Sequence, residues 1–433
     1  MAMEAQANQQ PYSDEYEHVM LLKNTFDQNL FPSEFDKWTV NEQCDWVNEN
    51  LRKFYPNVPE SLLELIPASF HQGNYDRSGT SVPEWFDIDK YRKGQKFVKD
   101  NYIAVVSCML LAVLHMYSFE DIVRGFIMGG NVHIPYPAFH RYLSTIWRIT
   151  NWFNGEPWVE GTTAFKDMRA TRRLHLLVRR KICRLDNDKI DAACTFANPW
   201  CPSRDIILKD FSVMCLSEKD GQRPYKLFAE SPYRPKSLST AHLAATQCCF
   251  MGLVLLYPQQ FGAHNVTDDE LEAFCHIWRC YGYFLGIEDE YNFCRGSFEQ
   301  VKQRTRDFYQ YWLMPNFKDI SPEWEHMTRC IVEPFNYLPL TYIPYKTAVL
   351  FSTEVFDIKM PNLRASLNYS ERIAYKMWRF VFRHACKSSS LKSFFNRTMY
   401  WILNRAIHYS PQKLAQLSEK SKQKVKDFQI TSE

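Results

Sequence analysis

A histidine set among arginines is the feature of this sequence richest in chemical potential. Between Met168 and Leu185, the residues Met168, Thr171, Leu174, Val178, Ile182 and Leu185 recur at steps of three and four, the spacing of one helix face. His175 lies beside that stripe, edged by Arg169, Arg172, Arg173, Arg179, Arg180 and Arg184. A neutral imidazole on an inward face can bind haem iron, and guanidinium groups nearby can offset the propionate charges. A lone histidine on such a face is more often a hydrogen-bonded core residue, and the pattern alone leaves both readings open. Arg141 and Thr145 form a second candidate: four apart, they share a helix face that Arg148 continues. Together they could donate hydrogen bonds to a bound oxygen species, or they could be an exposed face with one ordinary charge.

Other constellations are weaker. Asp268-Asp269-Glu270 suits a helix cap better than a metal, and 287–290 reads as a solvated acidic run. The sequence has no phosphate loop, dinucleotide glycine pattern, G-x-S-x-G elbow or H-E-x-x-H. The twelve histidines do not supply the Glu-x-x-His pairs of a di-iron site or the close pairs of a zinc site.

The elements that must carry these residues are helices. Helical periodicity begins near Tyr91 and persists to about Phe428, while strand signals are weak throughout. One helix follows Pro135 and Pro137, running through Phe139 to about Phe153. A second starts at Thr162 or Thr163 as N-cap and runs to about Leu185. A third, from Ser239 or Thr240 to Tyr257, is apolar nearly all round and should be central; Pro258 stops it. The fourth opens on the capping box Thr267–Glu270 and ends at Leu285 before Gly286. The proline-rich stretch 198–236 predicts an irregular excursion with a hairpin at Asp220-Gly221.

Composition sets the frame. With 433 residues, 45% apolar and 15% aromatic, the chain can bury a thick core or enclose a large flat ligand. Its net charge of +3 is uneven: between Glu371 and Asp427 thirteen Lys or Arg face three acids, a local net of +10. A basic region on a mildly acidic body favours anionic surfaces such as lipid headgroups, although a solvated helix face has the same composition. The thirteen cysteines show no C-x-x-C pair and read as reduced. The polar, acidic N-terminus reads as no secretory signal, and the apolar run Tyr102–Tyr117 as a buried helix rather than a span.

Several blocks in order resemble a known family, the rubber oxygenases (latex-clearing proteins) with the fungal MpaB-type oxygenases. They are Arg141–Thr145, Trp158–Gly161, Arg172-Arg-Leu-His175-Leu-Leu-Val178-Arg179, Thr246–Gly252 and Trp278-Arg-Cys-Tyr-Gly282-Tyr-Phe-Leu-Gly286-Ile287, within Tyr91–Gly296. The resemblance implies an all-α, globin-like core around b-type haem, with His175 as the iron ligand. It implies Arg172 and Arg179 beside the cofactor, and Arg141 and Thr145 as the catalytic pair at bound oxygen. It further implies dioxygen-dependent cleavage of a carbon–carbon double bond in an isoprenoid or other unsaturated lipid, giving aldehydes or ketones. Two positions depart from the family: Gly125 stands where a glutamate base is expected, and Ser144 where a lysine precedes the distal Thr. The competing expectations are a haem protein that binds or senses oxygen without turnover, and a helical interaction protein that has lost haem.

The expected organisation is a disordered 1–15, a helical extension and linker over 16–90, and a haem-binding oxygenase-like domain over 91–350. A basic helical region over 351–433 would pack on the core or a membrane. Expected partners are dioxygen and a hydrophobic substrate, with no nucleic acid. The expected location is cytoplasmic, with the C-terminal region a candidate for peripheral contact with the endoplasmic reticulum membrane.

Overall fold

Local signals along the chain place the helices that surround the site. The computed structural model describes residues 14–130, 132–214 and 218–425, and among them there is no strand: the fold is all-α. The helices used below are α1 (Asp14–Thr25), α2 (Ile88–Asp100), α3 (Tyr102–Met116), α4 (Glu120–Met128), α5 (Pro135–Phe153), α6 (Thr163–Cys183), α7 (Thr240–Leu256), α8 (Asp268–Leu285), α9 (Tyr345–Glu354), α10 (Tyr369–Arg383) and α11 (Ser389–Ile407).

The predicted boundaries correspond to real caps. Pro135 sits in the first turn of α5, where its missing N–H costs nothing. Thr162 caps α6 by accepting from the Phe165 N–H. Thr267 and Glu270 close a capping box on α8, which ends at Gly286 with φ +102°. The central position of α7 follows from its composition: it is apolar on every side and packs against α3 on one side and α8 on another. Helix α8 also packs along α2, α5 along α6, and α11 against α5 and α3.

One buried apolar cluster runs from Val19 on α1 through both central helices to Leu417, so no gap in packing coincides with residues 90 or 350. The N-terminal extension is tied down by long-range bonds, among them Arg77 Nη1 donating to the Tyr283 and Ile287 carbonyls at 3.0 and 3.1 Å. Of the N-terminal stretch expected to be disordered, residues 1–13 lie outside the described residues, whereas Asp14 and Glu15 already open α1.

The hairpin expected at Asp220-Gly221 is a correction. Gly221 turns with φ +70°, but among the described residues no strand flanks it, and the Asp220 carbonyl accepts from the Asn57 amide instead of a ladder partner. The twelve described cysteines are all free, and ten are buried. No single described helix is long and apolar enough to cross a membrane; only α2 and α3 taken together reach the length, and they bend by 88°.

Candidate functional site

Helices α3, α4, α5, α6, α7 and α8 surround a cavity of about 750 Å³, within the range of about 300–1,000 Å³ typical of ligand pockets. Its wall is mainly apolar and aromatic, with Leu110, Ile146, Val178, Leu243, Phe250 and Trp278 among the contributors. Two guanidinium groups line it, those of Arg141 and Arg148. Among the described lining residues there is no Asp or Glu. The cavity is therefore greasy with a positive bias, a match for a large apolar molecule that carries negative charge.

His175 projects from α6 into this cavity, with Thr171, Leu174 and Val178 of the same helix face. Its Nδ1 is buried without a hydrogen-bond partner. Burial, and then the nearby Arg141 charge, push its pKa down to about 4, so the ring is neutral at pH 7 with lone-pair density available. The alternative left open by the pattern, a core histidine satisfied by a neighbour, is not what the geometry gives. Leu174 points in a different sense from an ordinary core leucine: it is 48% exposed while lining the cavity.

Arg141 and Thr145 reach the cavity from α5. Each is partly committed to backbone. Arg141 Nη1 donates to the Phe126 and Gly130 carbonyls at 3.1 and 2.5 Å. The Thr145 hydroxyl donates to the Arg141 carbonyl at 2.9 Å, so it offers lone pairs to the cavity unless it rotates.

Arg172 and Arg179, expected beside the cofactor, point to backbone carbonyls. Neither lines the cavity. Arg172 donates to the Asn74 carbonyl at 2.7 Å and the Phe284 carbonyl at 3.4 Å; Arg179 donates to the carbonyls of Lys236 and Ser237. They stand three residues before and four after His175, so they hold α6 to the loops on either side of the imidazole. Burial lowers the Arg172 pKa to about 10, which still leaves it charged at neutral pH. The cation that reaches the cavity besides Arg141 is Arg148, whose nearest carboxylate, Asp167, is 3.9 Å away.

The glycines of the Trp278–Ile287 block have a structural reading. A Cβ on Gly282 would collide with the Gln247 amide nitrogen. That amide donates to the Trp278 carbonyl at 2.7 Å and fixes the cavity floor, so only glycine fits. Gly286 closes α8 and accepts from the Asn74 N–H at 2.7 Å, on the same loop that Arg172 holds.

Gly125 lies against the Ser237–Leu238 loop, where an added Cβ would sit 3.1 Å from the Ser237 Cβ, a tight approach that requires the loop side chain to shift. One turn earlier, Asp121 accepts from His242 Nε2 at 2.8 Å. His242 Nδ1 accepts from the Ser239 N–H at 3.2 Å and lies 2.6 Å from the Ser239 hydroxyl. Obligate donor and obligate acceptor thereby fix a neutral tautomer with its proton on Nε2. Burial alone would raise the Asp121 pKa, but the His242 contact and local hydrogen bonds leave it lowered. His242 lines the cavity and was missed from the sequence, although Ser239-x-x-His242 does form a capping box at the start of α7. The serine, histidine and aspartate are not a hydrolytic triad: Ser239 is fully buried as the N-cap of α7 and no substrate reaches it.

Among the described residues no cluster of three or more His, Cys, Asp or Glu side chains could hold a bare metal ion. His140, His175 and His242 all line the cavity, but both nitrogens of His242 are hydrogen-bonded, and the unpaired buried nitrogen of His175 beside a large apolar space with two cations fits haem instead, which brings its own four nitrogen ligands. No family model matches the sequence, and no curated protein matches it. A solved structure of latex clearing protein in the closed state is similar to this chain with a TM-score of 0.47 and 15% identity, covering 95% of this chain and 91% of that one. At that level the likeness carries nothing about chemistry.

Proposed function

We propose that this chain is a haem-dependent oxygenase that cleaves a carbon–carbon double bond of an isoprenoid or other unsaturated lipid with dioxygen, leaving two carbonyl ends. The observation that carries this reading is His175: a neutral imidazole with an unpaired buried nitrogen, on the wall of an apolar cavity of about 750 Å³. Haem b, when bound, supplies the redox-active iron that activates dioxygen.

The protein's own groups do the rest. His175 would hold the cofactor. Arg148 is the cation available to its propionates, in place of Arg172 and Arg179. Arg141 is the donor available for negative charge developing on oxygen, an effect worth about 10²–10³ in rate where it has been measured for single donors. The indole N–H groups of Trp152 and Trp278, both buried without a partner and both lining the cavity, can orient a polar substituent of a substrate. The absence of carboxylates from the described lining, with walls of Leu, Ile, Val and Phe, favours a greasy substrate.

A second reading, a haem protein that binds oxygen without turnover, draws support from the backbone commitments of Arg141 and Thr145. One experiment separates the two and tests the first. The purified protein is supplemented with haem, its absorption spectrum is taken, and oxygen consumption is followed with terpenoid alkenes. A Soret band with oxygen uptake matched by carbonyl product supports the oxygenase. A Soret band without uptake favours the carrier, and no Soret band after supplementation sinks both.

A further inference from the structure

Large apolar side chains left exposed gather on the C-terminal helices. On α10, Tyr369 is 80% exposed, Ile373 46%, Met377 50% and Phe380 60%. Their spacing of four, four and three puts them on one helix face. That face is not the one that holds α10 to the body. Ala374, Tyr375 and Phe382 are buried, and Trp378 and Val381 pack against the core, where α10 meets α9. Helix α10 thus has two apolar faces, and only the inner one has a protein partner among the described residues.

Cations flank the outer face. Arg372, Lys376, Arg379 and Arg383 follow one edge of α10, and Lys387 comes just beyond its end. Arg379 and Arg383 lean inward to Glu354 at 3.4 and 3.3 Å, whereas Lys376 and Lys387 are exposed. Helix α11 repeats the arrangement. Phe394 is 60% exposed, Trp401 is exposed with the Arg405 guanidinium 5.5 Å from its ring centroid, and Arg397 lies between them. Its inner face, with Ile402, Leu403 and Ala406, is buried, and it packs on α5 and α3, two walls of the cavity.

We infer that the outer faces of α10 and α11 form a docking surface for an anionic lipid bilayer. A strip of Tyr, Ile, Met and Phe edged by Lys and Arg is what an in-plane helix needs: the apolar strip enters the acyl boundary and the cations meet headgroup phosphates. Charge complementarity selects this occupant over a neutral one, because the segment from Glu371 to Ile407, which spans both helices, carries eight Lys or Arg and one acid, a net of +7 against −4 for the rest of the chain. A bilayer would therefore attract this side and not the remainder. Each Lys or Arg near an anionic membrane adds attraction that salt screens, so several together with a few buried apolar side chains give stable, salt-sensitive attachment. This inference does not depend on what occupies the cavity.

The test uses the full-length protein, with vesicles of phosphatidylcholine alone or with about one third phosphatidylserine, read by co-sedimentation at low and high salt. Binding to the anionic vesicles, weakened by salt and near background on the neutral ones, is expected. The pair Ile373→Asp and Phe380→Asp should lower the anionic-vesicle affinity by at least tenfold, and Lys376→Glu with Lys387→Glu by a similar factor. Circular dichroism and melting confirm that these exposed-site variants stay folded, and Trp401→Ser offers a milder check on α11. No binding by the unaltered protein overturns the inference, as does binding that the variants leave unchanged. Gel filtration showing a dimer that the Ile373→Asp and Phe380→Asp pair dissociates would also overturn it, since a second copy would then be the occupant.

Discussion

The cavity wall on α6 and the outer face of α10 both present apolar side chains that no described protein group covers, yet they differ in shape and polarity. The first is concave, lined by six helices, and presents the unpaired His175 nitrogen, two unpaired indole N–H groups and two arginines. The second is convex, open, and edged by cations over its length. An uncovered apolar surface by itself names no ligand. Curvature and polar groups do: a concave wall with a few directional nitrogens selects one bound molecule, while a convex strip with diffuse positive charge selects an extended surface.

The comparison breaks most sharply at His175. His175→Ala should abolish the Soret band of the haem-supplemented protein while leaving vesicle binding intact, because the unpaired imidazole nitrogen belongs to the cavity and has no part in the outer face. Retention of a full-intensity band by the variant would assign haem to another ligand, or to the surface, and leave the cavity without a claim to the cofactor.

Acid should separate the stability of the helical body from the outer face of α10. His18, His115 and His326 are buried and held neutral, with pKa values pushed by burial down to about 3, 4 and 4. In the unfolded chain each titrates near 6.5, so the unfolded state takes up protons first. Stability is then full above about pH 6.5 and falls as the pH drops toward 4, by up to about 1.4 kcal/mol per pH unit for each group. Thermal melts at pH 7, 5.5 and 4.5 should show a progressive loss of Tm. Lys and Arg keep their charge throughout, so at temperatures where the fold survives, vesicle binding should persist at pH 5.5. A flat Tm across this range would mean that the histidines are more open to water than their burial indicates.

Within the cavity, Arg141 should matter to rate rather than to loading. Arg141→Ala is expected to retain the Soret band and to reduce oxygen uptake with an alkene substrate by about 10²-fold, the scale of losing one preorganised donor. Loss of the band together with the rate would instead make Arg141 a propionate partner.

These expectations differ in how far the sequence could reach them. Helix limits and the inward placement of His175 were legible, because caps and three-four spacing are encoded within a few residues of each other. Thr162, Thr267 and Gly286 do what their positions suggest. The fates of Arg172 and Arg179 were not legible, since their acceptors lie 57 to 112 residues away along the chain. Asp121 and His242 are likewise 121 residues apart. On α10 the sequence shows apolar residues on both sides, and only packing tells Trp378 and Phe382, which face the core, from Met377 and Phe380, which do not.

Arg172 gives the smallest effect and the finest test, because it separates holding α6 in place from touching a ligand. If it acts only on the Asn74 and Phe284 carbonyls, then Arg172→Ala leaves those buried acceptors without a donor. That costs about 1–3 kcal/mol of stability, readable as a lower urea midpoint. At saturating haem the Soret band should keep its position and intensity, because His175 and the cations lining the cavity are unchanged. Arg172→Lys should recover part of the stability, since a single ammonium can reach one carbonyl but cannot fork between two. A Soret band that shifts or weakens in Arg172→Ala, with an unchanged urea midpoint, would return this arginine to the cofactor and show that the loop contacts are incidental to its role.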